Sequence, residues 1–179
     1  MQALSIIVPP AVEPVSIGEV KTFLRLDDEA EMARLGALIR AAREACELFV
    51  GSALITRTVR LRQTLMAERF YLRSGPVQGI TALSAFQGAD ETILNAADYA
   101  LCETAGRWHI NICDVAIGQL IQVDYVIGLG GDWNAVPEAI RQGLLRLIAH
   151  QYEHRSDPSV AALPHAVTAL WQPYRALRI

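Results

Sequence analysis

Lysine is almost missing from this sequence: of 16 basic residues only Lys21 is one, and the arginines are spread along the chain rather than clustered. Set against 19 acidic residues they leave a formal charge of −3. That excludes a general attraction for nucleic acid or an anionic membrane surface. No apolar run approaches the roughly 20 residues of a membrane span. The opening MQALSIIVPPAVEPV lacks the basic region and small-residue cleavage site of a signal peptide, so none is expected. Cysteine is scarce too. Cys46, Cys102 and Cys113 are odd in number and show no C-x-x-C spacing. This argues against a disulfide framework or zinc ribbon and leaves free thiols as the expectation. Hydrophobic residues, at 52% of 179 with only 20% charged, are abundant enough for one globular domain burying roughly two thirds of its unfolded surface.

The local patterns predict an α+β order. After an extended, Pro-rich start, SIGE specifies a helix N-terminus: Ser16 caps, Glu19 reaches back to the cap amide, and Val15 staples onto Val20. A first helix is expected from Ile17 to about Leu26, followed by an acidic DDEAE segment that favours the next helix start. Helix two, about Ala30 to Val50, places Met32, Leu35, Leu38, Ile39, Ala42, Ala45, Cys46 and Phe49 on one arc, with Arg40, Arg43, Glu44 and Glu47 opposite. Gly51 ends it. From Thr56 the period falls to two, and TRTVRLRQ alternates Val59 and Leu61 with Arg60 and Arg62. Further strands are expected at 68–73, 79–86, 92–100, 107–113 and 119–127, antiparallel and joined by turns. Helical period returns after GLGGDWNA, with Pro137 at the first helical position and a stripe of Ile140, Leu144, Leu147, Ile148 and Tyr152. A short helix from about Pro164 to Trp171 follows, and Pro173 is expected to end it at Gln172. The expectation is a single domain over 1–179. Its four-helix core comes from residues 16–50 and 137–172, with an antiparallel β-module over about 55–128 inserted between the pairs and a tail at 173–179.

The chemistry-bearing motifs are few. HQYEH at 150–154 matches the H-x-x-E-H zincin pattern, and two histidines one turn apart can share a metal. A third ligand is needed, however, and beyond His154 the sequence offers no Glu, no Cys and one His. GLGGD at 128–132 invites a phosphate-loop reading but lacks the G-K-[ST] ending, which favours a tight turn. His109 and His165 have no paired carboxylate or Ser nearby in sequence, and no nucleophile elbow occurs. No catalytic residue, metal site or cofactor is therefore assigned. Two features suit protein contacts instead. Ala33, Ala37 and Ala41 on helix two, and Ala139 and Gly143 on helix three with His150 and His154 along the same line, form smooth flanks for close approach of another subunit. Trp171, Tyr174, Arg175 and Arg178 gather residue types enriched at protein–protein hot spots.

Three segments in order carry a resemblance. SIGEVKTFLRLDD leads to a long helix ending FVGSALITRTVRL. VDYVIGLGGDWNAVPEAIRQGLLRLIAHQYEHR and the closing LPHAVTALWQPYRALRI complete the set. Together they resemble the head–tail connector (adaptor) family of long-tailed phages, which has relatives in phage-derived gene transfer agents, from about Ser16 to Ile179. The resemblance implies a non-enzymatic ring, typically of twelve copies, docked beneath the portal protein. It would continue the DNA channel without sequence-specific binding and offer a platform to the next head-completion (stopper) or tail protein. It further implies that HQYEH is helix surface and that the residues from Trp171 to the end meet the portal. The competing readings are a capsid or tail accessory protein with another partner, and a small zinc hydrolase using His150, Glu153 and His154.

Overall fold

The computed structural model describes residues 3–26, 31–113, 115–154 and 163–175. The chain forms two compact units, one from residues 12–55 and 129–177, the other from 1–11 and 56–128.

The first unit is helical. Helix α1 (Ile17–Leu24) opens with the expected capping box: the Ser16 hydroxyl accepts from the Glu19 amide at 3.1 Å, and the Glu19 carboxylate accepts from the Ser16 amide at 2.8 Å. It stops two residues short of the expected Leu26. Arg25 turns left-handed at φ 56°, and the amides of Arg25 and Leu26 close back onto the carbonyls of Thr22 and Lys21, satisfying the last turn. Helix α2 (Met32–Val50) buries Leu35, Ile39, Ala42, Cys46 and Val50 and ends at Gly51 with φ 74°. The expected start near Ala30 and most of the acidic DDEAE segment lie outside the described residues. Helix α3 (Glu138–Glu153) begins one residue after Pro137, which stands as an extended cap with ψ 138° rather than in the first turn. Helix α4 (His165–Trp171) ends at Trp171 as expected, but the chain does not leave helical conformation at Gln172. Gln172 stays helical, its amide bonded to the Thr168 carbonyl, and a single 3-10 turn continues over Gln172–Tyr174. Pro173 sits at the start of that turn, where a missing amide costs no bond. The apolar arcs of α2 and α3 meet in one core with Val15, Val20, Leu54, Ile55, Val136, Val167 and Trp171, which includes both members of the predicted staple.

The second unit is all β. Strands β1 (Ala3–Val8), β2 (Arg57–Thr64), β3 (Arg69–Tyr71), β4 (Val77–Gln87), β5 (Asp90–Ile93), β6 (Tyr99–Thr104), β7 (Arg107–Ile112) and β8 (Leu120–Ile127) form two antiparallel sheets, ordered β1-β2-β8-β4-β5 and β3-β7-β6. The period-two reading of β2 is met: Val59 and Leu61 are buried opposite Tyr125 and Val123. On the other face Arg60 donates two bonds of 2.7 Å to Asp124, and Arg62 lies over Phe86. Two expectations are corrected. The β-module is not wholly an insert, because its edge strand β1 comes from the extended N-terminal segment. The strand expected over 92–100 is two strands in different sheets. Asp98 accepts from the Asn95 amide at 2.6 Å, and the Asp98 amide returns a bond to the Asn95 carbonyl, an Asn/Asp turn that breaks the run. No helix among the described residues is long and apolar enough to cross a membrane.

Candidate interaction surfaces

The candidate metal pair sits where the sequence put it, at the end of α3. The rings of His150 and His154 are 4.4 Å apart, but Nδ1 of His154 is engaged with the His150 carbonyl at 2.9 Å, and Glu153 points outward into solvent. Among the described residues no group of three His, Cys, Asp or Glu side chains converges. Two imidazoles do not make the three-ligand set of a catalytic zinc site. The glycine-rich loop is likewise occupied by its own chain. Gly128 takes φ 133°, and a Cβ on Gly130 would lie 2.3 Å from the Ala135 side chain. The Asp132 carboxylate caps the following 3-10 turn (Trp133–Ala135) through the Asn134 amide at 2.8 Å. These glycines serve turning and close approach, and an aspartate stands where a phosphate would need donors.

The predicted helix flanks have different fates. Ala33, Ala37 and Ala41 are all exposed on α2. At 100° per residue they share an arc of about 80° with Leu48, which is 86% exposed. The three alanines and Leu48 thus share one exposed side of α2, interrupted between Ala41 and Leu48 by the exposed Glu44, and sequence reading noticed only the alanines. On α3 the flank is already covered. Gly143 is buried beneath Trp171, whose ring nitrogen would stand 2.2 Å from a Cβ there and donates to the Ile140 carbonyl at 3.2 Å. Trp171 is fully buried. Its indole is a core residue of the helical unit, so neither the Trp171 side chain nor Gly143 offers surface to a partner, contrary to the sequence expectation. The glycine and the tryptophan that suggested two separate interfaces are one internal contact. Ala139 and His150 are half-buried and His154 is exposed.

Beyond Trp171 the chain is exposed through Arg175. The Arg175 guanidinium lies 5.6 Å from the centre of the Phe49 ring, itself tilted against Trp171. Tyr174 is open to solvent. Arg178 lies outside the described residues. The root of the tail is thus fastened by a tryptophan anchor and a cation–π contact, with Tyr174 left unburied.

Two ionic clusters escaped the sequence reading. Arg43, assigned to the solvent face of α2, is buried. Its guanidinium meets Glu13 at 2.8 Å, Glu47 at 3.5 Å and Glu44 at 3.8 Å, tying the segment before α1 to α2. Arg141 pairs with Glu19 and Glu138 and covers the Trp133 ring at 4.6 Å. Burial pushes the Glu19 carboxyl up, but its bonds from Ser16 and the Arg141 charge outweigh that and hold its pKa below the ordinary value. The available signal was the spacing of opposite charges across segments, which periodicity does not register. Burial raises the Cys46 thiol far above its usual range and pushes the Tyr125 phenol up to about 12, so neither is a reactive group near neutral pH.

The surfaces therefore suit assembly, and the comparisons agree. No curated protein matches the chain. Among solved structures, a chain in the neck of an empty gene transfer agent particle, computed with C6 symmetry, superposes with a TM-score of 0.83 at 29% identity, over 99% of this chain and 97% of that one. A chain from the virion of the native gene transfer agent particle gives 0.82 at 30% identity, over 98% and 96%. One from the native neck computed with C12 symmetry gives 0.72 at 29% identity, over 100% and 97%. Residues 13–172 match the head completion protein family, and the chain belongs to that family, which is structural rather than enzymatic.

Proposed function

We propose that this protein is the adaptor of a gene transfer agent neck. Copies form a ring, twelve in the particle, beneath the portal protein; the ring continues the DNA channel and gives the next head-completion (stopper) or tail protein its platform. The observation that carries this reading is the end-to-end likeness to neck chains, at a TM-score of 0.83 over 99% of the sequence. The β unit is shared with those chains as well as the helices. The exposed side of α2 bearing Ala33, Ala37, Ala41 and Leu48 supplies a lateral contact within the ring, with Ala139, His150 and His154 at the margin of α3. The segment after Trp171 supplies the portal contact, through Tyr174, Arg175 and Arg178, with Trp171 as its internal anchor.

Deletion of residues 173–179 tests the assignment. Among the described residues it removes one cation–π contact, of about 0.5–1 kcal/mol at an exposed site, so the thermal melt should move by only a few degrees. Attachment to portal-bearing particles should be lost. A truncated protein that still binds the portal places the contact elsewhere; one that binds a different neck component places the protein at another level of the neck.

A further inference from the structure

We propose that β1 continues the sheet of a neighbouring copy, pairing with the open edge of that copy's β5. This rests on the ring reading above and adds a second lateral contact, made by backbone rather than by helix flank. Strand β1 stands at one end of the five-stranded sheet, bonded among the described residues to β2 alone. Its composition is that of an interior strand. Leu4, Ile6, Ile7 and Val8 are four large apolar side chains in six residues, each at least 40% exposed. Leu4 and Ile6 lie opposite the buried Leu61 and Val59, yet extend past the core those residues fill. Near-continuous apolar runs belong to strands covered on both faces. Edge strands that stay uncovered carry charges or proline along their length. Here the bulge between Ile6 and Val8 and the Pro9–Pro10 pair mark only the end of the strand. From Ala3 to Ile6 no charge or proline of the strand itself guards the edge.

The other end of the same sheet has the complementary character. Strand β5 is bonded to β4 alone and is exposed at all four residues, Asp90, Glu91, Thr92 and Ile93. It offers two carboxylates and a 71% exposed isoleucine. One strand in from β1, on the face opposite the buried Val59 and Leu61, stand Arg60, which is held by Asp124, and the exposed Arg62. One edge is thus apolar with the exposed Arg62 behind it and the other acidic with one apolar residue, an arrangement that favours edge-to-edge contact of unlike ends. A cyclic ring needs such a heterologous interface, in which two different patches of one chain meet. A β1–β1 pairing would be isologous and would stop at a dimer.

The test uses necks assembled in particles. A photo-cross-linking amino acid in place of Ile6 should give a product of twice the 19.6 kDa chain mass, mapped to residues 90–93 of a second copy. A cross-link to a different neck protein, or to other residues of a second copy, overturns the pairing. Ile6→Lys alters a side chain that is 54% exposed, so the melt of the isolated protein should hold to within about 2 °C. Incorporation into particles should fall by about tenfold or more. Normal incorporation of the variant overturns the proposal. The ring reading fails separately: copies found singly in the neck overturn both, whereas an intact ring without the cross-link overturns only the strand pairing.

Discussion

Gly143 and Trp171 show how one residue's value is set by another 28 positions away. A glycine inside a helix ordinarily costs roughly 1 kcal/mol against alanine, so Gly143→Ala viewed locally should stabilise α3. The indole reverses the sign. With Nε1 2.2 Å and two ring carbons 2.9 Å from the new Cβ, Trp171 must move, and its bond to the Ile140 carbonyl moves with it. Overpacking of this kind costs about 1–3 kcal/mol. Gly143→Ala should therefore lower the denaturation midpoint, and an unchanged or raised midpoint would show the indole seat to be loose. Glu19 carries a pH signature. Its pKa is lowered in the folded state by Ser16 and Arg141, against an opposing push from burial. Its contribution is thus fully present above the unfolded value of about 4.3 and is lost as the pH falls through the folded one. Glu19→Gln keeps a capping side chain but removes the charge, so it should flatten the acid limb of the stability profile and matter least once the pH is below the folded pKa. An acid limb of unchanged slope would place the acid-sensitive group elsewhere.

At the scale of elements, the features written in local chemistry were legible: the capping box at Ser16, the closing Gly51, and the alternation of β2. Features set by contacts distant in sequence were not. Arg43 falls on the polar side of the α2 wheel, and its burial is made tolerable by Glu13 and Glu47, with Glu44 farther off. The N-terminal segment reads as an extended Pro-rich lead, and nothing nearby indicates that Ala3–Val8 meets β2 more than fifty residues on. The candidate interfaces divide along the same line. The exposed alanines of α2 were readable as one flank because they are periodic, whereas the burial of Trp171 was not, because composition alone does not separate an anchor from a docking residue. The alanine flank gives its own prediction. Ala37 is exposed, so Ala37→Arg should fold and melt like the parent, exposed helix substitutions being worth about 0.5 kcal/mol or less. If α2 packs against another subunit through this flank, a side chain of that length and charge should block incorporation into particles. Normal incorporation would remove α2 from the lateral interface while leaving the β1 contact to be judged by its own cross-link.

For the whole molecule, the relevant quantity is charge. A conduit for DNA has to remain close to a polyanion without holding it. Each phosphate neutralised by a cation adds affinity through counterion release and makes binding salt-dependent. This chain carries a formal −3, its arginines are dispersed, and several are already committed: Arg43 to Glu13, Arg60 to Asp124 and Arg141 to Glu19. In the proposed ring the net negative charge would multiply with copy number, which disfavours a grip on DNA. Duplex DNA titrated against the protein at about 0.15 M salt should therefore bind more weakly than the roughly 10⁻⁴ to 10⁻⁶ M of ordinary non-specific DNA binders. The measurement is fluorescence anisotropy of a labelled duplex, repeated at lower salt. A dissociation constant below about 10⁻⁶ M that weakens steeply with salt would mean that the folded protein gathers its arginines into a phosphate-binding surface, and the passive-channel role would then be wrong even if the ring and its place in the neck were right.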